Sequence, residues 1–430
     1  MFANTANFQQ EAYQYLIQGN YSKAKKLYEQ AIAAEPNIKS YYWSLGLLLL
    51  LQGQETEAQM TWMLPLTEVE EEEIDFYTNE LIQVLQTEAE RRETKEEYST
   101  AWAIRQHIRE INPEHINNLL ELIRLSIKQQ TLEDNTLDDY SVIKLLKQRN
   151  KLDLGLLQQT LQEFLEDVPA HPLTLEFIEA SLINFSNPED CFWIILPAAM
   201  KIGHTLKNPE LAAHILELYL HIDTENIEAL KHIATFNQNY GNYSKGIEKA
   251  KLCYSLSQTI PDKIAAIHLV LRGLMTAGGY WQEITSICKE LEGLLQEFIQ
   301  AQPFPLDGVR SLYLLTPSFA IPHIKDTPAE FREIHNKLAK IFQSNIQVVA
   351  KENNLSLIKL AQANFASVAP GFNSEVNNLP RKIITSSKKL KIGYLSYALR
   401  RHSVGWLSRW LFQHHDKEKF EINTYFVNYK

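Results

Sequence analysis

The sequence predicts a mainly α protein: a solenoid of paired helices over residues 1–300, then a strand, a helix and a second strand that open an α/β domain. Three observations lead there. Only 15 glycines and 16 prolines occur in 430 residues, and long stretches lack both, which favours helix over an all-β architecture. Small and aromatic residues recur near the N-terminus at a spacing of about 34 residues, a period typical of stacked helical hairpins. Near the C-terminus two short apolar runs, LKIGYLS and FEINTYFV, flank a stretch with helical periodicity.

The first repeat holds Ala12, Tyr15, Gly19, Tyr21, Ala24, Tyr28, Ala31 and Pro36. One period later the matching positions are Tyr42, Leu45, Gly46, Leu49, Gly53, Ala58 and Trp62. The spacing has a packing cause. Ala12, Ala24, Gly46 and Ala58 let antiparallel helices approach, and Tyr28 and Trp62 fill the grooves that remain. Gly19 and Gly53 fall in the turns, where a positive φ suits glycine. These two units resemble tetratricopeptide repeats.

A degenerate unit follows, with Ala89, Tyr98, Ala101 and Pro113. Residues 114–205 are expected to be helical, as in LDLGLLQQTLQEFLEDV, without a legible repeat. The pattern returns at Leu230, Ala234, Gly241, Tyr243 and Ala250, with further helical pairs beside it. A solenoid gathers side chains on a concave side, and Tyr13, Trp43, Leu47 and Leu50 are the candidates for a peptide groove there. Ordinary packing is the competing explanation for all four.

Prolines at 303, 305, 317, 322 and 328 interrupt helical continuity, so the solenoid is expected to end near residue 300. Thr327, Pro328 and Glu330 spell a helix start, with a helix running from 328 to about 350. Residues 301–388 form a helical connector and linker, and residues 389–430 the α/β segment, whose strand–helix–strand order implies a parallel crossover.

Composition excludes several classes. The net charge of −10 gives no overall electrostatic footprint for nucleic acid. The acidic run EVEEEEID at 68–75 reads as a solvated helix start or loop. Cys191, Cys253 and Cys288 lie far apart without metal-ligand spacing, so neither a zinc site nor a disulfide framework is expected. The N-terminus lacks a basic stretch followed by an apolar core, and the run at 45–52 is too short to span a bilayer. A cytoplasmic protein without membrane partners is the expectation.

The C-terminal stretch carries a longer pattern. Ile392, Gly393, Tyr394, Ser396, His402, Ser403, Val404, His415, Asp416 and Phe420 follow in the order of IGYLS, RRHSVGWL and HHDKEKFE. This resembles the start of the catalytic region in the O-linked N-acetylglucosamine transferase and SPINDLY family, over roughly the last tenth of the chain. The resemblance implies a tetratricopeptide-like solenoid followed by the opening βαβ of a Rossmann-like domain of the GT-B type. It implies inverting transfer of N-acetylglucosamine from UDP-N-acetylglucosamine to serine or threonine of acceptor proteins that the repeats select. His402 would then be catalytic, as a positioning group or proton acceptor, and Arg400 and Arg401 would face the donor diphosphate. No metal or resident cofactor is implied. His414 and His415 read as caps at a helix end.

Two positions depart from the family pattern. Ala398 stands where an aspartate is common, and Gln10 and Ser44 stand where an asparagine ladder often lines the groove. The family's second α/β domain lies outside residues 389–430, so the chain reads as the N-terminal portion of a larger transferase, inactive alone. A non-catalytic scaffold whose repeats bind partner proteins is the alternative.

Overall fold

The computed structural model describes residues 2–67, 69–148, 152–301, 313–314, 320–352, 389–396 and 403–426. The chain divides into two compact units, Met1–Val349 and Ala350–Lys430.

The first unit opens with two hairpins, α1 (Phe2–Ile17) with α2 (Tyr21–Ala34), and α3 (Lys39–Leu50) with α4 (Glu55–Met63). Turns of three or four residues force the helices of each pair antiparallel. The small residues sit where the helices touch: Ala12, Ala24 and Ala58 are fully buried. Gly19 and Gly53 adopt φ of 75° and 76°, as the turns require.

A single 3₁₀ turn, Leu64–Leu66, leads to α5 (Glu71–Thr94), which starts with three glutamates in its first turn, where the helix dipole favours negative charge. That first turn belongs to the acidic run 68–75, of which residues 70–75 are exposed. Helices α6 (Tyr98–Ile111) and α7 (Ile116–Gln129) follow.

The region without a legible repeat keeps the hairpin alternation. After α7 come two short helices, α8 (Thr136–Asp139) and α9 (Val142–Lys147), then α10 (Leu154–Asp167), α11 (Thr174–Leu182), α12 (Glu189–Met200) and α13 (Pro209–Tyr219). Helices α7, α10 and α12 pack successively in one row, while α9, α11 and α13 pack in a second. The irregular features are local: α8 and α9 replace one full helix, and α12 contains Pro197 and runs into a π-helical turn, Lys201–Thr205.

Regularity resumes with α14 (Ile227–Tyr240), α15 (Tyr243–Leu256), α16 (Ile260–Ala277) and α17 (Trp281–Ala301), each packed on the next. The first helices of successive pairs begin at Ile116, Leu154, Glu189, Ile227 and Ile260, intervals of 38, 35, 38 and 33 residues, near the period of about 34.

Among the described residues the core consists of three large successive apolar clusters, over residues 12–108, 116–236 and 234–341, and a small fourth one of Leu230, Cys253 and Ala266. Each is built mainly from neighbours along the chain, the signature of a solenoid. The third reaches past residue 300: Leu338 and Ile341 of the helix Pro328–Glu352 share it with Leu291, Leu295 and Phe298 of α17. Pro303, Pro305 and Pro317 lie outside the described residues. Cys191, Cys253 and Cys288 are free and buried, and burial raises the first two thiols to about 11.

The second unit contains β1 (Leu390–Ser396), a helix Ser403–Gln413 and β2 (Phe420–Phe426). The strands pair in parallel, with Leu390 opposite Phe420 and Ser396 opposite Phe426. Asp416 accepts hydrogen bonds from the backbone of Glu418 and Lys419 and so sets the turn into β2. His415 donates from Nδ1 to the Leu411 carbonyl at 2.8 Å, and the His414 ring stacks on Trp410, so both histidines close the helix end. The unit is small, and Trp406, Leu407, Trp410 and Leu411 of its helix are more than half exposed.

Candidate functional site

Tyr13 of α1 is 49 % exposed and faces a concavity of about 220 Å³. Its walls come from three consecutive hairpins. Ala12, Tyr13 and Leu16 belong to α1, Ser44 and Leu47 to α3, and Gln83, Val84, Thr87 and Glu88 to α5, with Tyr28 of α2 at the base. The floor is apolar. Gln83 and Thr87 are exposed on its edge and carry the free polar groups.

The base is held by specific bonds. Burial raises the Tyr28 hydroxyl pKa, partly offset by a hydrogen bond with Ser44, and Ser44 also donates to the Ser40 carbonyl at 3.2 Å. Thr87 donates to the Gln83 carbonyl of its own helix at 2.8 Å, and the exposed Gln83 amide, without a partner among the described residues, can meet a backbone. Glu88 is buried but saturated: it accepts from Arg91 at 2.6 and 2.7 Å and from Arg92 at 2.5 Å. Arg92 is bonded further to Glu97 and the Tyr21 hydroxyl. This ionic cluster clamps α5 against the first hairpin and presents no spare charge to the groove.

Of the four groove residues expected from sequence, Tyr13 and Leu47 meet in this concavity. Leu47 is nearly buried and supplies floor rather than surface. Trp43 and Leu50 are not among the lining residues. Trp43 is fully buried, its Nε1 donates to Glu80 of α5 at 3.4 Å and its carbonyl accepts from Trp62 Nε1 at 3.1 Å. It belongs to the packing between hairpins. Leu50 is half-buried against the same apolar cluster. Gln10 is exposed one turn before Tyr13.

Sequence reasoning missed Gln83, Val84 and Thr87. The reason is helix length: α5 spans 24 residues where α3 spans 12, so the period cannot register its inner face.

His402, Arg400, Arg401 and Ala398 lie outside the described residues. Among the described residues no group of three or more His, Cys, Asp or Glu could hold a metal ion, and no helix is long and apolar enough to cross a membrane.

No family model matches the chain, and no curated protein does. Solved structures with similar helix stacking include a tetratricopeptide repeat protein from Parabacteroides merdae, 13 % identical, covering 73 % of this chain and 98 % of that one at a TM-score of 0.20. Another is a circular tandem repeat protein, 14 % identical, covering 81 % and 90 % at a TM-score of 0.20. Scores this low carry no argument, and the repeat assignment rests on the hairpins themselves. Those hairpins define a mainly helical, tetratricopeptide-like solenoid.

Proposed function

We propose that the chain is a protein-interaction scaffold whose first three hairpins hold a peptide segment of a partner protein. One observation carries the reading: Tyr13, Leu47 and Val84, from three different hairpins, converge on one concavity with the unpaired Gln83 amide beside them. A rigid aromatic anchor over an apolar floor, with a polar group placed to take a backbone hydrogen bond, is the chemistry of peptide capture. The test is selection of a random displayed peptide library on the full chain, followed by hydrogen exchange. Protection should concentrate on α1, α3 and the second half of α5. No protection on α1 and α3 with any selected peptide would reject the assignment.

A second reading is favoured by the parallel pairing of β1 and β2 about a connecting helix. Open α/β sheets take ligands at the carboxyl ends of their strands, and the segment that follows β1 carries Arg400, Arg401 and His402. With the sequence resemblance, this supports transfer of N-acetylglucosamine from UDP-N-acetylglucosamine to protein hydroxyls. In that chemistry His402 would position or deprotonate the acceptor, and the arginines would meet the leaving diphosphate. Transfer from UDP-N-acetylglucosamine by a longer chain that adds the second α/β domain, strongly lowered in His402→Ala, is the direct test; undiminished turnover in His402→Ala would remove this reading and leave the scaffold intact.

A further inference from the structure

A second groove takes other residues of α5 than the site above, and its position and chemistry are independent of that reading. It runs between α4, the first half of α5 and the end of α6, with a cavity of about 360 Å³. Trp62, Leu66, Leu81 and Ile111 form its apolar floor. Met63 lies on its lip at 66 % exposure, and Met60, one turn earlier on α4, is 67 % exposed. Leu64 and Ile74 are exposed beside them. Methionines are flexible and polarizable, and they suit surfaces that must adapt to another side chain.

Charge says what fits there. Between residues 40 and 90 the sequence has eleven Asp and Glu and no Lys, Arg or His. Several of these carboxylates stand on α4 and α5, the two helices that wall the groove with α6. Glu57 stands on α4, and Glu71, Glu72, Glu73 and Asp75 crowd the start of α5, all exposed. Among the described residues none of these five has an ion-pair partner, unlike Glu88 or Glu97. At the far end Glu55 and Glu110 flank the buried His107 ring at 3.5 and 3.0 Å. Arg109, next to Glu110 in the sequence, lies over the Tyr140 ring, 4.5 Å from its centroid.

We infer that this groove docks a Lys/Arg-rich amphipathic helix of a partner protein, apolar face on Met60, Met63 and the Trp62 floor, basic face over the α5 carboxylates. Helix-in-groove recognition needs an apolar trough to receive anchors that the partner helix supplies at helical spacing, and the trough is present. The acidic rim repels nucleic acid and anionic lipid surfaces. It also opposes a second copy of this chain, whose net charge is −10.

The probe is a labelled peptide of Leu and Lys at amphipathic helical spacing, titrated against the full chain by fluorescence anisotropy. Binding should weaken about tenfold in Met60→Ser with Met63→Ser, because both anchors are exposed and their loss spares the core. Glu71→Gln with Glu72→Gln and Glu73→Gln should weaken it severalfold and flatten its salt dependence. Tyr13→Ala should leave it unchanged, which separates this groove from the inner one. A peptide of identical charge but scrambled spacing should bind far more weakly. Equal binding of the scrambled peptide, no binding at all, or insensitivity to the methionine change would overturn the inference. So would a dimer in sedimentation that the methionine change dissolves, since the occupant would then be a second copy.

Discussion

Trp62 packs so tightly against the backbone of Gly46 that a Cβ on that glycine would come within 2.2 Å of the indole Nε1. The same nitrogen donates to the Trp43 carbonyl at 3.1 Å, which fixes the ring in place. The second hairpin therefore closes through a pair, a missing side chain on α3 and a large one on α4. Gly46→Ala should destabilise the array by about 1–3 kcal/mol, as overpacking in a rigid contact does. In a Trp62→Leu background the cost of Gly46→Ala should shrink, and a double-mutant cycle on thermal melts measures that coupling. Equal costs in both backgrounds would show that the two residues do not share one contact.

Glycines elsewhere in the array should respond with opposite signs. Gly53 turns the chain between α3 and α4 at φ 76°, so Gly53→Ala should cost about 1–2 kcal/mol through left-handed backbone strain. Gly293 lies inside α17 with open space where a Cβ would sit. There Gly293→Ala should stabilise by about 1 kcal/mol on helix propensity. Melting temperatures of the two variants, measured side by side, should move in opposite directions.

Acid should weaken the second half of the solenoid in a defined window. Burial, reinforced by the charge of Arg272, depresses the pKa of His268 in α16 from 6.5 to about 4. The folded chain therefore keeps this ring neutral where the unfolded chain binds a proton. Its contribution to stability is complete above pH 6.5 and is lost as pH falls from 6.5 to 4. A His268→Gln variant should lose less melting temperature than the parent across that interval. An identical slope in the two proteins would assign the acid sensitivity to other groups.

Much of this fold is legible in the sequence because the hairpin contacts are local. Ala12, Ala24, Gly46 and Ala58 must be small wherever two helices cross, and Gly19 and Gly53 must turn the chain, so a repeat period exposes them. The helix starting at Pro328 and the parallel strands announce themselves through caps and apolar runs. What the sequence hides is set across hairpins. From sequence Trp43 could face the groove or pack between helices, and its burial with Glu80, on the longer α5, accepting its indole proton decides for packing. Residues 114–205 lose the pattern because α8 and α9 stand in for one helix, while the two-row packing survives through the contacts of α7 with α10 and of α10 with α12. The candidate groove was half visible for the same reason: α1 and α3 follow the period, and α5 does not.

The affinity of one peptide for two proteins tests the central claim most directly. A peptide selected on the full chain should bind Tyr13→Ala about tenfold more weakly than the parent, the loss typical of an exposed aromatic anchor. The variant should melt as the parent does, since Tyr13 is half exposed and outside the core. Trp43→Ala should behave differently, losing about 3–5 kcal/mol of stability as a buried aromatic truncation does. Calorimetric titration that finds the peptide held equally well by Tyr13→Ala and the parent would contradict the account, because the inner groove would then have no part in partner binding.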